Sequence, residues 1–358
     1  MHAERSDPSE SEQTAPRKSG AGGVITIAVL CAVAGFGLLF FYSDGVKLAD
    51  AAAGISWARF ALPIGATLFS YVLMALSYDG IAAAAGSPVG FVPMLRITFV
   101  SNTVNYLVAT GGLSGFAVRM YLFRRHGIPM GRAVTISFVQ GLLTNLALLV
   151  FLVMGFYFLV RHESLGIAAL AAAGGLLGVF ILIMGLCVVL LLQPKSRRRV
   201  LLWCGGTIHR LAVRFLPDHR VPHRMHLWRV LANVDEGFHF MVANWRSMLV
   251  PTIYIFLDWV ATLAVLWGCF WTVDLLVAPA LITVGFSVAI LSSMVSLAPG
   301  GLGIMESLTT ALFATLGTPL APTVIALILF RLSYYALPFI VSLVFFRSML
   351  HDARQHSH

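Results

Sequence analysis

Charged side chains inside apolar stretches are the groups best placed to do chemistry in this chain. Asp258, Glu306 and Arg331 lie in segments apolar enough to sit within a bilayer. A charge at that depth is costly, so it is usually paired or functional. We expect Arg331 to pair with Asp258 or Glu306 beside a binding site. An ion pair that only holds helices together fits the sequence equally well.

Two glycine pairs mark a second candidate site. Gly111-Gly112 and Gly300-Gly301 each interrupt an apolar segment, and broken helices expose N–H groups and helix dipoles. A phosphate-bearing headgroup suits such ends, helped by a cation such as Arg119. The alternative is that small residues only allow close helix packing. The polar neighbours of the two breaks are Asn102, Asn105, Thr110, Ser114, Arg119, Ser292, Ser293, Ser296, Pro299 and Glu306.

The elements that must position these residues are membrane helices. Of 358 residues, 59% are hydrophobic and 11% are charged, against roughly 25% charged in soluble domains. We predict an all-α integral membrane protein with six full transmembrane helices and two re-entrant or broken helical hairpins. The predicted spans are 24–42, 60–78, 133–160, 165–192, 248–271 and 322–346, and the interrupted segments are 91–118 and 278–316.

Basic residues predict the orientation. Twenty Lys and Arg fall in the N-terminal tail, around the first interrupted segment, in 194–247 and at the C-terminus, whereas the other gaps hold three, Lys47, Arg59 and Arg161. The positive-inside rule therefore places both termini in the cytoplasm of a cell (inner or plasma) membrane. The first interrupted segment then enters from the cytoplasmic face and the second from the opposite face.

The two interrupted segments are also similar in sequence. Each glycine pair is followed, after fifteen or sixteen residues, by Gly127-Ile128-Pro129 or Gly317-Thr318-Pro319 and then by a span. This pattern predicts an inverted repeat, with repeat one at about 60–160 and repeat two at about 248–347, inside a transmembrane domain of 23–347. Chance coincidence among 32 glycines is the alternative. Residues 1–22 are predicted as a disordered tail and 348–358 as a short C-terminal tail.

The net charge of +9 does not indicate nucleic acid, because the basic residues lie between apolar segments. We expect the basic, amphipathic 194–247 region to contact anionic headgroups on the cytoplasmic face. Metal binding by His219, His223 and His226 is disfavoured because Pro222 interrupts their helix, and the four cysteines are isolated. We expect no cofactor, no metal and no catalytic constellation, and hence a non-enzymatic membrane protein.

Two stretches resemble a known family. GGLSGFAVRMYLFRRHGIPMGRA and LAPGGLGIMESLTTALFATLGTP, the latter followed by ALILFRLSYYALPF, are similar to the signatures of the lysylphosphatidylglycerol synthase transmembrane (flippase-like) family. The resemblance implies movement of polar or charged lipids, or lipid-linked carriers, between leaflets. The positions that it singles out are Gly111, Gly112, Arg119, Pro299, Gly300, Gly301, Gly303, Glu306 and Arg331.

The chain departs from the family pattern in two places. Val108 stands where the family often has proline, and Gln140-Gly141 stands where it often has a Glu-Arg pair. The chain also ends soon after its last predicted span. We therefore expect the aminoacyl-transferase domain of bifunctional members to be missing, and no synthesis of lysyl-lipid.

Lipid flipping is therefore the predicted function, with a membrane lipid as substrate. Two alternatives stay open. One is a transporter of a small soluble anion. The other is a membrane enzyme, or an accessory subunit, of lipid or polyprenyl-glycan metabolism.

Overall fold

The described residues of the protein, taken from a computed structural model, are 52–107, 113–161, 166–215, 224–295 and 304–355. The regular elements within these ranges are all helical. The predicted N-terminal tail and the predicted span at 24–42 lie outside them.

The helices follow one another with short connections. In chain order they are α1 Trp57–Ala84, α2 Phe91–Leu107, α3 Leu113–Arg125, α4 Met130–Arg161, α5 Ile167–Leu192, α6 Pro194–Phe215, α7 Arg224–Ala243, α8 Leu249–Thr272, α9 Pro279–Val295, α10 Ile304–Thr315, α11 Leu320–Arg331 and α12 Leu337–Gln355. A 3₁₀ turn, Trp245–Met248, precedes α8, and a π-turn, Leu332–Ala336, joins α11 to α12.

Five helices in the described part are long and apolar enough to cross a membrane. They are Trp57–Ala84, Met130–Arg161, Leu170–Leu190, Trp245–Thr272 and Leu320–Ser348. Each coincides with a predicted span to within a few residues, because a long apolar run with few charges is a local property of sequence. These five predictions are confirmed.

Each interrupted segment consists of two short helices packed on one another. In the first pair α3 runs antiparallel to α2, since Gly115 approaches Asn105 while Arg119, one turn later, reaches Ser101. In the second pair Gly285 of α9 lies against Phe313 of α10. The longest of these helices has 17 residues, about 25 Å at 1.5 Å per residue. We call each of these packed helix pairs a hairpin.

Both hairpins end in the same backbone turn. Gly127 and Gly317 have φ values of +76° and +86°, which glycine adopts without a Cβ penalty. The amide that follows each glycine donates back to a helix carbonyl, from Ile128 to Phe123 at 3.1 Å and from Thr318 to Phe313 at 2.9 Å. This is the Schellman arrangement in both cases. The predicted Gly-x-Pro similarity thus corresponds to one structure formed twice.

Helices α1 and α8 pack antiparallel along a contact that we call the seam. Pro63 meets Gly268 near one end, Gly80 meets Pro251 near the other, and Ser70 meets Asp258 between them. Ser70 and Asp258 are 188 positions apart, and the same separation relates Pro63 to Pro251 and Gly80 to Gly268. The two helices therefore meet through equivalent positions.

The outer contacts of the two predicted repeats, about 60–160 and about 248–347, are reciprocal, and we call these repeats the two halves. Helix α2 packs against α12, where the Thr103 hydroxyl donates to the Pro338 carbonyl at 3.3 Å. Helix α9 packs against α4, where the Ser287 hydroxyl donates to the Phe151 carbonyl at 3.3 Å. Each hairpin thus holds the last helix of the other half.

The basic region forms helices α6 and α7, which pack on each other. Helix α7 also docks on α4, burying Val234, Phe238 and Met241 in the same core as Ile136. Helix α6 keeps Trp203 66% exposed. This region therefore has one helix fixed to the bundle and one that presents an apolar and basic surface.

Candidate functional site

One cavity of about 360 Å³ collects four of the predicted site residues. Asn102 and Asn105 of α2, Arg119 of α3 and Asp258 of α8 all line it. Helix α4 contributes Ser137, Gln140, Gly141, Thr144 and Asn145, and the remaining lining residues are Met74, Tyr78, Tyr106, Gly115, Phe116, Trp259 and Tyr334. The cavity thus lies against both halves, beside the seam.

Arg119 is a buried cation held by neutral partners. Its side chain is 8% exposed. The guanidinium donates to the Ser101 hydroxyl at 3.1 Å and to the Asn102 side-chain carbonyl at 3.1 Å, and it lies 4.3 Å from the Tyr78 ring centroid. Within the described ranges, no acidic side chain lies at ion-pair distance from it. Its positive charge is oriented but not neutralised, which favours an anion in the cavity.

The hairpin geometry explains how Arg119 reaches this place. A Cβ added to Gly115 would lie 2.6 Å from Asn105 Cβ and 2.7 Å from the Ser101 carbonyl oxygen. Glycine therefore lets α3 approach α2 closely. Arg119 is one helical turn further along the same face, so it reaches Ser101.

Asp258 is the buried acid of the cavity. It lies in the middle of α8 and is 5% exposed. The Ser70 hydroxyl donates to its carboxylate. Thr262, one turn later, donates to the Asp258 backbone carbonyl at 2.9 Å and lies 3.3 Å from the Tyr334 hydroxyl. No Lys, Arg or His in the described part of the chain lies at ion-pair distance from this carboxylate.

Two further polar atoms of the cavity wall lack hydrogen-bond partners in the described structure. They are Asn105 Oδ1 and Ser137 Oγ, and the Ser137 residue is 6% exposed. By contrast, the Ser77 hydroxyl donates to Gln140 Oε1 at 2.7 Å. Buried polar atoms are nearly always paired in native proteins, so these two atoms are available for a hydrogen bond to water or to a polar group in the cavity.

Arg331 pairs with Glu306 and not with Asp258. The Arg331 guanidinium donates to the Glu306 carboxylate, and the two residues are 7% and 3% exposed. The Tyr335 ring centroid lies 4.2 Å from the guanidinium carbon. Neither partner lines the cavity described above. Of the two predicted partners, the structure thus selects Glu306 and places the pair behind the cavity wall.

A model of the family described as "Lysylphosphatidylglycerol synthase TM region" matches residues 23–342. The chain belongs to this family. The predicted resemblance is confirmed, and with the five helices it makes the chain a multi-pass membrane protein.

Two relatives within staphylococci show how much of the chain is shared. Phosphatidylglycerol lysyltransferase of Staphylococcus aureus (strain MRSA252) is 25% identical over 256 residues, which are 70% of this chain and 24% of that protein. Phosphatidylglycerol lysyltransferase of Staphylococcus haemolyticus (strain JCSC1435) is 33% identical over 87 residues, 24% of this chain and 10% of that protein. The chain aligns with about a quarter of the length of the Staphylococcus aureus relative.

A layer of tyrosines separates the Arg331–Glu306 pair from the cavity. Tyr334 lines the cavity, whereas its neighbour Tyr335 lies over Arg331 and 4.8 Å from the Tyr106 ring centroid. The π-turn carries both Tyr334 and Tyr335. Sequence reasoning missed these tyrosines and Ser70, although the family signature ALILFRLSYYALPF contains two of them.

The glycine-rich part of the predicted site lies outside the described residues. This applies to Gly111, Gly112, Pro299, Gly300, Gly301 and Gly303. Their contribution to binding stays a prediction from the glycine pairs and from the family resemblance.

Proposed function

We propose that this protein moves a lipid with a phosphate-bearing headgroup between the two leaflets of a membrane. The observation that carries the proposal is Arg119, a buried cation in a cavity, whose described partners are all neutral. A planar guanidinium suits phosphate because it offers several N–H donors in a fixed fork. The relatives named phosphatidylglycerol lysyltransferase make a lipid derived from phosphatidylglycerol the first candidate substrate.

The depth of the cavity supports a transmembrane route. Asp258 is the tenth residue of α8, which has 24 residues, so it lies about 14 Å along a helix of about 36 Å. A polar cavity at that level gives a headgroup a polar resting place well inside the length of the helix, away from both of its ends. Without such a place, the headgroup would have to lose its hydrogen bonds with water entirely.

Reciprocal packing supports an inverted repeat. The seam, the α2–α12 contact and the α9–α4 contact each relate equivalent elements of the two halves, and both hairpins share one terminal turn. In our proposal the hairpins are re-entrant and enter from opposite faces, with six full spans and both termini in the cytoplasm, as the charge distribution predicts. Such a pair of halves can rock about the seam and open the cavity to one leaflet at a time.

The proposal involves no bond making or breaking, so the chain is a translocase and not an enzyme. In the same proposal, the exposed surface of α6 contacts the membrane. Lys195, Arg198 and Arg199 are exposed beside Trp203, a combination that suits anionic headgroups at a membrane surface.

The test is lipid movement in reconstituted vesicles. Purified protein is placed in vesicles that contain phosphatidylglycerol labelled on an acyl chain with a fluorophore, and a membrane-impermeant reductant then bleaches the outer leaflet. We expect wild-type protein to expose the inner-leaflet label, and Arg119→Ala to lower the rate to that of protein-free vesicles. Arg125→Ala is the matched control, because Arg125 is an exposed arginine of the same helix that also lies near a tyrosine ring, at 5.1 Å from Tyr121.

Other outcomes would decide against the proposal. Wild-type vesicles that behave like protein-free ones would overturn it, as would an Arg119→Ala protein as fast as wild type. Uptake of a soluble anion without lipid movement would favour a solute transporter, and a chemically altered lipid would favour an enzyme.

A further inference from the structure

We infer that Asp258 binds an exchangeable monovalent cation, a proton or Na⁺, at the seam between the two halves. The inference rests on the proposed translocation, and it deepens that proposal by naming what accompanies the lipid.

The charge balance at Asp258 is the first support. Its carboxylate has the neutral Ser70 hydroxyl as its hydrogen-bond partner, and no cationic side chain of the described residues is at ion-pair distance. An ionised carboxylate buried without a counter-charge costs several kcal/mol. Glu306 shows the usual solution within the same protein, a bond to Arg331. Asp258 has no such bond in the described structure, and a proton or metal cation bound directly to the carboxylate would neutralise it.

The groups around Asp258 supply oxygen atoms. Ser70 of α1 donates to it, and Thr262 of α8 lies one turn away in contact with the Tyr334 hydroxyl. Hydroxyl and carboxylate oxygens suit a hard cation, and they suit an added proton equally well. Both cations therefore share one recognition chemistry.

Other titratable or charged groups face this site from several elements. Tyr71 of α1, Tyr106 of α2 and Tyr334 of the π-turn are near enough to interact electrostatically with Asp258. Helix α3 contributes Arg119 on the cavity wall, whereas α4 contributes the neutral amides Gln140 and Asn145. Helix α9 has no charged residue, and the charged residue of α11 is Arg331, which pairs with Glu306. Among the residues that line the cavity, Asp258 is the acidic one.

The position of Asp258 on the seam is the second support. Ser70 and Asp258 occupy equivalent places in α1 and α8, between the Pro63–Gly268 and Gly80–Pro251 contacts. The carboxylate also lines the cavity proposed for the headgroup. A group at the junction of two rocking halves is reached from each side of the membrane in turn. A cation held there can exchange in step with the lipid.

The first experiment labels the carboxyl group directly. The full chain in vesicles is treated with dicyclohexylcarbodiimide, which reacts with protonated carboxyl groups in apolar surroundings, and modified residues are identified by mass spectrometry. We expect modification of Asp258 that declines as pH rises. If the bound cation is Na⁺, adding NaCl at fixed pH protects Asp258 while choline chloride does not. If it is a proton alone, the two salts act equally.

Two variants define the background of this labelling. Asp258→Asn removes the reactive group and should abolish the modified peptide, whereas Asp258→Glu should retain it. Asp274→Asn is the matched control at an exposed carboxylate, and its Asp258 should label like wild type. An Asp258 that is not modified at any pH, or is modified equally at every pH and salt, would overturn the inference.

The second experiment imposes a gradient of pH or of Na⁺ across the vesicles described above. We expect the gradient to shift the leaflet distribution of the labelled lipid with wild-type protein and to have no effect with Asp258→Asn. Lipid movement that ignores both gradients overturns the cation inference and leaves the translocase proposal intact. Cation-dependent labelling of Asp258 in a protein that moves no lipid would overturn the translocase proposal and leave cation binding at Asp258 intact.

Discussion

The two hairpins share a backbone design and use charge in opposite ways. Both end in a left-handed glycine, Gly127 or Gly317, with the same capping hydrogen bonds. In the second hairpin Glu306 is bonded to Arg331 of its own half. In the first hairpin Arg119 has neutral partners and lines the cavity.

This difference separates a buried carboxylate that has a cationic partner from a buried cation that has no acidic partner among the described residues. A buried ion pair satisfies itself, so removing one member exposes the other to the full cost of burial. A buried cation with only neutral partners keeps part of its electrostatic potential available to an incoming anion. The two hairpins therefore reuse helices and turns while placing a complete ion pair in one and a cavity-lining cation in the other.

Removing the Glu306 carboxylate should give the largest effect on stability. We expect Glu306→Gln to lower the free energy of unfolding by about 3–5 kcal/mol, because Arg331 stays buried without its acidic partner. Thermal unfolding of the detergent-solubilised protein measures this loss. Glu236→Gln, at an exposed carboxyl group of α7, is the control and should unfold like wild type. A Glu306→Gln protein as stable as wild type would show that the Arg331–Glu306 pair does not stabilise the second hairpin.

Replacing Arg119 should affect transport more than stability. Arg119→Lys keeps the charge but loses the bonds that Nε and Nη2 make to Ser101 and Asn102. We expect lipid movement to slow roughly tenfold, equivalent to about 1.4 kcal/mol, with thermal stability close to that of wild type. Arg125→Lys should leave the rate unchanged. A severe loss of stability with no specific loss of rate would make Arg119 a structural residue like Arg331.

Replacing the glycine of each terminal turn by alanine tests whether the two hairpins end in equivalent turns. Gly127→Ala and Gly317→Ala should each destabilise the protein by about 1 kcal/mol, because alanine is strained at these positive φ values. The measurement is again thermal unfolding. Gly185→Ala is the control, since an added Cβ there meets nothing within 4 Å and alanine is favourable inside a helix, so this variant should not be destabilised. Clearly unequal effects of the two turn variants would argue against equivalent hairpins.

Breaking an exposed ion pair should have the smallest effect on stability, because solvent screens its charges. Arg59 pairs with Asp274 where α1 begins and α8 ends, with side chains 35% and 68% exposed. We expect Arg59→Ala to cost less than about 1 kcal/mol and the cost to shrink as salt is added. Unfolding measured at low and high salt tests this. A loss comparable to that of Glu306→Gln would show that exposure does not separate the two pairs.

Much of the fold could be predicted because it depends on local features. The apolar runs, and the glycines Gly127 and Gly317 before Pro129 and Pro319, are visible in the sequence. The π-turn was not predicted, since no residue type marks an extra residue in a helix.

The candidate site could be predicted only in part. Arg119, Asn102, Asn105 and Asp258 were found because charges and amides are rare in apolar helices. The contact of Ser70 with Asp258 joins residues 188 positions apart and depends on packing. The choice of Glu306 as the partner of Arg331 is likewise decided by how α10 and α11 meet.

The π-turn at Leu332–Ala336 accommodates one extra residue within the helix. The Leu337 amide bonds to the Leu332 carbonyl five residues back, so the turn holds one residue more than a regular helical turn. Because the widened turn absorbs that residue, the residues after it keep the orientation in which Pro338 and Phe345 meet Thr103 and Phe99. Deleting one residue inside the turn should therefore restore a regular helix and keep these contacts, whereas the same deletion in the regular helix α8 would rotate the residues after it by about 100°.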